Sequence, residues 1–390
     1  MQSCTKENRG RMIVIFASAI GRFPIGGNAW SDLQYLLGLR ALGHNVFYLE
    51  ECGPESWVYN WETEQLTTDL EYPTNYVRNC LEGLGFENQW IYRAGDRSVG
   101  MDIDNFKEIC YEADLMIVRG SPISLWREEY KWPQRRIYID ADPGFTQINI
   151  ACGHSELVNT VERCDRLFTI GQRIGAEDCL IPTTGRDWLL TLPPVALPYW
   201  SVTEDDDATH FSSIMQWHSY REVIYEGVTY GNKDKEFLKF IDIPQLTKQP
   251  FRIALSGGFP DELSQNGWEV MPGWIASFTP ESYQTFVQES RAEFGVAKHG
   301  YVATKGGWFS DRSVCYLASG RPVLVQDTGL SDWLPIGEGI LTFRDQKEAV
   351  NGIEAINADY KRHRQAARSL AAEYFDSNKV LSSLLEAAMS

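Results

Sequence analysis

Apolar runs, each followed by a polar stretch carrying glycine or proline, recur along the chain from Met12 onward. The first, Met12-Ile13-Val14-Ile15-Phe16, shows no alternation, as expected of a central parallel strand covered on both faces. A turn-rich stretch from Gly21 to Asn28 follows, with Pro24, Gly26 and Gly27. Leu33, Leu36, Leu37 and Leu42 then recur at helical spacing, Gly43-His44-Asn45 ends that helix, and Val46-Phe47-Tyr48-Leu49 reads as the next strand. That is one complete βαβ unit.

The pattern repeats. Leu115 to Val118 precedes Arg119-Gly120-Ser121-Pro122, Arg136 to Asp140 precedes Ala141-Asp142-Pro143-Gly144, and Arg166 to Ile170 precedes Gly171. Leu192-Pro193-Pro194-Val195-Ala196-Leu197-Pro198 cannot continue a helix, and Glu204 to Asp207 is acidic without apolar partners, so residues 193–210 read as a linker. Strand patterns resume at 213–217, 251–255, 268–271, 294–297, 322–325 and 340–343, with a helix at 281–292 and a helical tail at 346–388. The expectation is an α/β protein of two doubly wound, Rossmann-like domains facing each other across a cleft. They cover residues 1–195 and 210–390, with the last helix returning to the N-terminal half. Ligands of such sheets bind outside the carboxyl ends of the strands.

Composition adjusts this picture in three ways. The 13 Trp, 18 Tyr and 18 Phe suit either large cores or a cleft walled with flat faces. The net charge of −17 argues against nucleic acid or anionic lipid as partner, since Lys361-Arg362-His363-Arg364, the one dense basic cluster, reads as a solvated helix face. Eight scattered cysteines without Cys-x-x-Cys spacing read as reduced thiols of a cytoplasmic protein, and no apolar run is long enough for a transmembrane segment. Metal is not indicated either: Asp205-Asp206-Asp207 reads as a solvated loop.

The chemistry concentrates in 298–330. A glycine loop, Lys305-Gly306-Gly307, leads through Trp308-Phe309-Ser310-Asp311-Arg312 into a short helix, and a buried strand then ends in Asp327-Thr328-Gly329. Amides at such a helix start favour a diphosphate, with Ser310 as cap and Lys305 or Arg312 as countercharge.

Phe309-Ser310-Asp311-Arg312 through Ala318-Ser319-Gly320-Arg321-Pro322-Val323 resembles the donor-site signature of GT-B glycosyltransferases, most closely the bacterial group related to spore-maturation glycosyltransferases. Pro193-Pro194-Val195, Asp142-Pro143-Gly144-Phe145 and Glu373-Tyr374-Phe375-Asp376 resemble that group more loosely. The resemblance implies transfer of a sugar from a nucleotide-diphosphate sugar to a small-molecule or glycan hydroxyl, with no cofactor and no metal. It implies a donor site at Gly27, Lys233, His299, Lys305, Gly306, Gly307, Phe309, Ser310, Arg312, Asp327, Thr328 and Gly329, with Asp142 and Asp311 as catalytic carboxylates. Asp140, Asp32, His154 and His299 are alternatives for a base. The chain departs from many retaining members of the fold, which place a second acid where Cys315 to Ala318 stand. A sugar-nucleotide epimerase, or a protein that binds sugar or nucleotide without catalysis, shares the same architecture and the same expectations.

Overall fold

The computed structural model describes residues 10–54, 57–61, 63, 65–203, 208–219 and 221–390. The acidic triplet at 205–207 lies outside them.

The N-terminal half holds β1 (Ile13–Ala17), β2 (Asn45–Glu51), β3 (Trp90–Ala94), β4 (Arg97–Gly100), β5 (Leu115–Arg119), β6 (Arg135–Asp140), β7 (Arg166–Thr169) and β8 (Trp188–Leu190). They form one sheet in the order β8-β7-β6-β5-β1-β2-β3-β4, parallel throughout except for β4, which runs antiparallel to β3. The second half holds β9 (Phe211–Gln216), β10 (Phe251–Ser256), β11 (Glu269–Pro272), β12 (Ala292–Gly295), β13 (Val323–Gln326) and β14 (Ile340–Phe343), a fully parallel sheet in the order β11-β10-β9-β12-β13-β14. In each sheet the chain winds outward from one central strand, returns, and winds outward on the other side. The crevices left by that reversal, between β1 and β5 and between β9 and β12, are where ligands of such sheets sit.

Seven helices matter below: α1 (Gly26–Ala41), α2 (Phe145–Ala151), α3 (Lys233–Phe237), α4 (Pro280–Gln288), α5 (His299–Thr304), α6 (Asp311–Ala318) and α7 (Ser377–Met389). The last of these lies against α1 of the N-terminal half. Gly38 permits that approach, because a Cβ there would stand 2.5 Å from the Leu381 side chain. Val195 locks the crossing: its amide donates to the Phe375 carbonyl at 2.7 Å, and its carbonyl accepts from Ser377. The tail is therefore continuous with the N-terminal core, where Leu381 and Leu384 are buried with Leu33 and Leu36. Among the described residues no helix is long and apolar enough to cross a membrane.

Candidate functional site

The carboxyl ends of β9 and β12 and the start of α3 bring three cations together. Lys233, the first residue of α3, is only 6% exposed and hydrogen-bonds to no described residue. Burial holds its ammonium well below the ordinary lysine range; Arg312 and Lys298 push the same way and only Glu293 opposes them. Arg312, from the first turn of α6, donates to the wholly buried Glu293 at 2.6 Å and to the Ile214 carbonyl of β9 at 3.0 Å. Lys298 follows β12 and pairs with Asp142 at 3.2 Å. A buried ammonium without a partner is costly, and it persists where a ligand supplies the missing charge. A small cavity at the carboxyl ends of β12 and β13 is lined by Val296, Ala297, Ser310, Arg312 and Gln326.

Next to the cations, Glu236 of α3 is 1% exposed and gathers three donors: His299 Nδ1 at 2.6 Å, Lys239 Nζ at 2.7 Å and Gln326 Nε2 at 2.6 Å. Burial alone would push Glu236 up, but those hydrogen bonds outweigh it and hold the carboxylate below the usual glutamate range. Gln326 also accepts from the Ala297 amide, so the ends of β12 and β13 are stitched to α3.

Of the residues expected at the donor, Lys233, His299, Ser310 and Arg312 are gathered at this edge, and Ser310 caps α6 by accepting from the Arg312 amide at 3.2 Å. The glycine loop is placed differently. A Cβ on Gly306 would lie 2.4 Å from Ile181, and one on Gly307 2.8 Å from Arg173; both neighbours belong to the N-terminal half. The Gly307 amide already donates to the Thr328 carbonyl. Lys305 turns outward, its side chain 59% exposed and 3.5 Å from Asp178. The loop is thus a contact between the halves, with the Gly307 amide already engaged.

Five further expectations change for similar reasons. Asp327 caps its own turn, accepting from the Gly329 and Leu330 amides at 3.0 and 2.9 Å. Thr328 donates to the Trp308 carbonyl, and Arg173 covers Gly329. Phe309 packs inward, stacked on Phe375 with centroids 5.3 Å apart. The amide of Gly27 donates to Ser277 of the other half at 3.0 Å, and the Tyr283 ring leaves no room for a Cβ there.

The two carboxylates expected to be catalytic both span the halves. Asp142 is held by Lys298 and by the Tyr301 hydroxyl, and Tyr301 in turn stacks on Trp308. With its oxygens so engaged it serves as a tether. Asp311 lies 3.5 Å from Arg119, the last residue of β5. Arg119 is the centre of the N-terminal crevice: it donates to Asp32 at 2.8 Å and to Ser31 at 3.1 Å, with Asp32 fully buried. Asp140, the alternative base, is likewise spent, on Gln147 and Thr169 at 2.8 and 2.7 Å. His154 is the cap of a surface helix.

Glu50, near the carboxyl end of β2, fixes the turn after β1. It accepts from the Gly21 and Arg22 amides at 2.8 and 2.6 Å and from the Tyr48 hydroxyl at 2.8 Å. Burial pushes its carboxyl up to about 7 despite those donors. Between the unfolded value near 4.5 and about 7 the folded chain keeps a proton the unfolded chain has released. The associated stability is therefore full below that window and lost as pH rises through it. The unfolding midpoint in urea is expected to fall between about pH 5 and 8 more steeply in the wild type than in Glu50→Gln. Parallel curves would remove Glu50 as the cause.

Glu236, Glu293 and Lys298 shape the C-terminal crevice and Arg119 the N-terminal one, yet sequence patterns gave them no role. The available signal was positional: Arg119 and Lys298 are the first charges after apolar strand cores, at the edge where ligands bind. Glu293, a charge inside a buried strand, had no local signature.

Comparison with known proteins places this geometry. Residues 235–382, under half the chain, match the family model described as glycosyl transferase-like. The matched segment takes in β10 to β14 and most of the helical tail. A search of curated protein sequences returns no match. Among solved structures, an alpha-glucosyltransferase in complex with UDP-glucose and DNA containing an abasic site superposes with a TM-score of 0.62 at 12% identity, covering 98% of this chain and 100% of that one. A HepE protein from Anabaena, in complex with UDP and glucose, gives 0.57 at 11% identity, covering 96% and 100%. A glycosyltransferase from Rickettsia africae gives 0.52 at 10% identity, covering 98% of each chain. These likenesses establish the GT-B fold, and with the family match the enzyme class, glycosyltransferase.

They also correct one expectation. Nucleic acid was excluded on net charge, but the alpha-glucosyltransferase structures of this architecture hold DNA. Net charge sums over the whole surface, whereas binding answers to the local field, so −17 excludes no such partner.

Proposed function

We propose that the protein transfers a sugar from a nucleotide-diphosphate donor, whose diphosphate is held by Lys233, Arg312 and Lys298, to an acceptor hydroxyl. The observation that carries this reading is the buried, unpartnered ammonium of Lys233 at the crevice between β9 and β12. In the reaction the anomeric C–O bond to the diphosphate breaks, a new C–O bond to the acceptor oxygen forms, and the acceptor's hydroxyl proton passes to the departing diphosphate or to water. Negative charge builds on the departing diphosphate, and fixed cations in a dry site stabilise it. In this reading the cationic side chains take the part that a metal would otherwise play at the diphosphate. Seven free thiols among the described residues support a reducing, cytoplasmic setting. The run from Phe309 to Val323 supports placement near the spore-maturation group.

A thermal-shift panel of UDP, GDP, ADP and their sugars tests the donor, since a ligand of the folded state alone raises the melting temperature by mass action. Absence of any shift at millimolar ligand would sink the reading. The acceptor is tested separately with saccharides and with DNA carrying an HMU base, the ligand of one same-fold structure. A product formed from donor alone would instead indicate epimerisation or hydrolysis.

A proton signature is also expected. A diphosphate beside Lys233 restores the charged form that burial disfavours, so binding is expected to be coupled to proton uptake on the alkaline side of neutrality. Calorimetry in two buffers of different ionisation enthalpy reads this directly. Buffer-independent heats would mean that Lys233 does not meet the phosphates.

A further inference from the structure

We infer that His299 selects the nucleoside part of the donor, by offering its Nε2 as a fixed hydrogen-bond acceptor to a hydroxyl or N–H of that moiety. The inference rests on the donor reading above and goes beyond it by giving one side chain a recognition role distinct from phosphate binding.

The geometry begins with Glu236. It is ionised and buried, and a carboxylate can only accept, so the 2.6 Å contact requires the proton on His299 Nδ1. That contact fixes both the tautomer and the ring orientation, as carboxylates do for histidines generally. In the neutral ring Nε2 is then an acceptor. It has no partner among the described residues, and the side chain is 27% exposed.

The backbone places this nitrogen's residue at the donor crevice. His299 follows Lys298 after β12, and its amide donates to the carbonyl of Asn232, the residue before Lys233. The neighbouring Gly300 amide donates to the Gly231 carbonyl, so α5 and the approach to α3 form one wall. On the donor reading, Lys233 and Lys298 at that wall and Arg312 of α6 serve the diphosphate. An acceptor nitrogen among them answers to a different part of the ligand, one that carries a polar hydrogen; the phosphates carry none once ionised.

Two sources supply such a hydrogen, the ribose hydroxyls and the edge of the base. Binding by calorimetry of UDP, GDP, ADP, their 2′-deoxy and 3′-deoxy counterparts and inorganic pyrophosphate tests the role. The comparison is wild type against His299→Ala and His299→Gln. His299→Ala is expected to weaken the best-bound nucleoside diphosphate roughly tenfold, the range of one hydrogen bond, and to leave pyrophosphate unchanged. His299→Gln, whose amide oxygen reaches a similar position, is expected to recover part of the loss. If deoxygenation weakens wild type but not His299→Ala, the partner is a ribose hydroxyl; if it weakens both alike, the partner is the base edge. Equal weakening of nucleotide and pyrophosphate would make His299 a phosphate cation and overturn the inference, as would no weakening at all. Wild-type protein that binds neither pyrophosphate nor any nucleotide would instead refute the donor reading itself.

Discussion

Replacing Lys233 by methionine is expected to do two opposite things, weakening donor binding about tenfold to a hundredfold while raising the melting temperature. The loss follows from removing a charge-assisted contact to phosphate, which is worth roughly 1.5–3 kcal/mol. The gain follows from the free protein. There Lys233 is 6% exposed, lacks a hydrogen-bonding partner among the described residues, and feels Arg312 and Lys298. Burying this amine is costly either as an uncompensated charge or through giving up its proton, and the flexible methionine side chain fills similar space without that cost. A purely structural lysine would give the reverse pattern, loss of stability with donor affinity unchanged. Titration with a nucleoside diphosphate and a thermal melt on the same preparation separate the cases. A methionine variant that melts lower and binds equally well would remove Lys233 from the site. Such a pairing of gain and loss is the mark of a group kept strained for its ligand.

The two sheets were legible because buried parallel strands have to be apolar on both faces. The runs at Ile13–Ala17, Leu115–Arg119 and Ile340–Phe343 have no other reading in a chain of this length. Strand β3, with the antiparallel β4 beyond it, escaped although Trp90-Ile91-Tyr92 is apolar and Gly95-Asp96 is a hairpin turn. An edge hairpin is short, and outside the alternation of strand and helix it has no neighbour in sequence to confirm it. The C-terminal tail reads as one helical stretch but breaks at Asp359 and at Asp376, each of which caps the helix that follows.

The site was legible only in part, and the reason is topological. Helix start, glycine loop and polar turn were all recognised between residues 298 and 330, but pattern alone cannot say which of them faces the other half. Segment 173–181 of the N-terminal half covers Gly306 and Gly307 from more than a hundred residues away in sequence. Glu293 and Arg312 lie nineteen positions apart and meet only because β12 and α6 are adjacent in the sheet layer. Resemblance supplied residue types at the right loops; the partner of each charge had to come from the fold.

Arg119 is where that dependence is greatest, and its removal is expected to give the largest stability change. It ends β5, donates to the buried Asp32 and Ser31 of α1, lies over the Tyr35 ring at 5.2 Å and reaches Asp311 across the halves. Burial already pushes the Asp32 carboxyl up, with Arg119 the chief opposing influence. Arg119→Met leaves that carboxylate without a cation, and removing one partner of a buried pair costs about 3–5 kcal/mol. The urea midpoint should fall accordingly. Adding Asp32→Asn should return most of the loss, because the orphaned charge disappears with it. Asp311→Asn should cost under about 1 kcal/mol, since that side chain is 41% exposed and its contact is long and screened by solvent. If Asp311→Asn cost as much as Arg119→Met, the arginine would act chiefly as a clasp between the halves. If Arg119→Met alone were neutral, its pairing with Asp32 would carry no net energy. Nucleoside diphosphate affinity should stay within a few-fold in all three variants, because the donor cations belong to the other crevice and do not contact Arg119. A parallel collapse of affinity and stability would mean that the two crevices are energetically one.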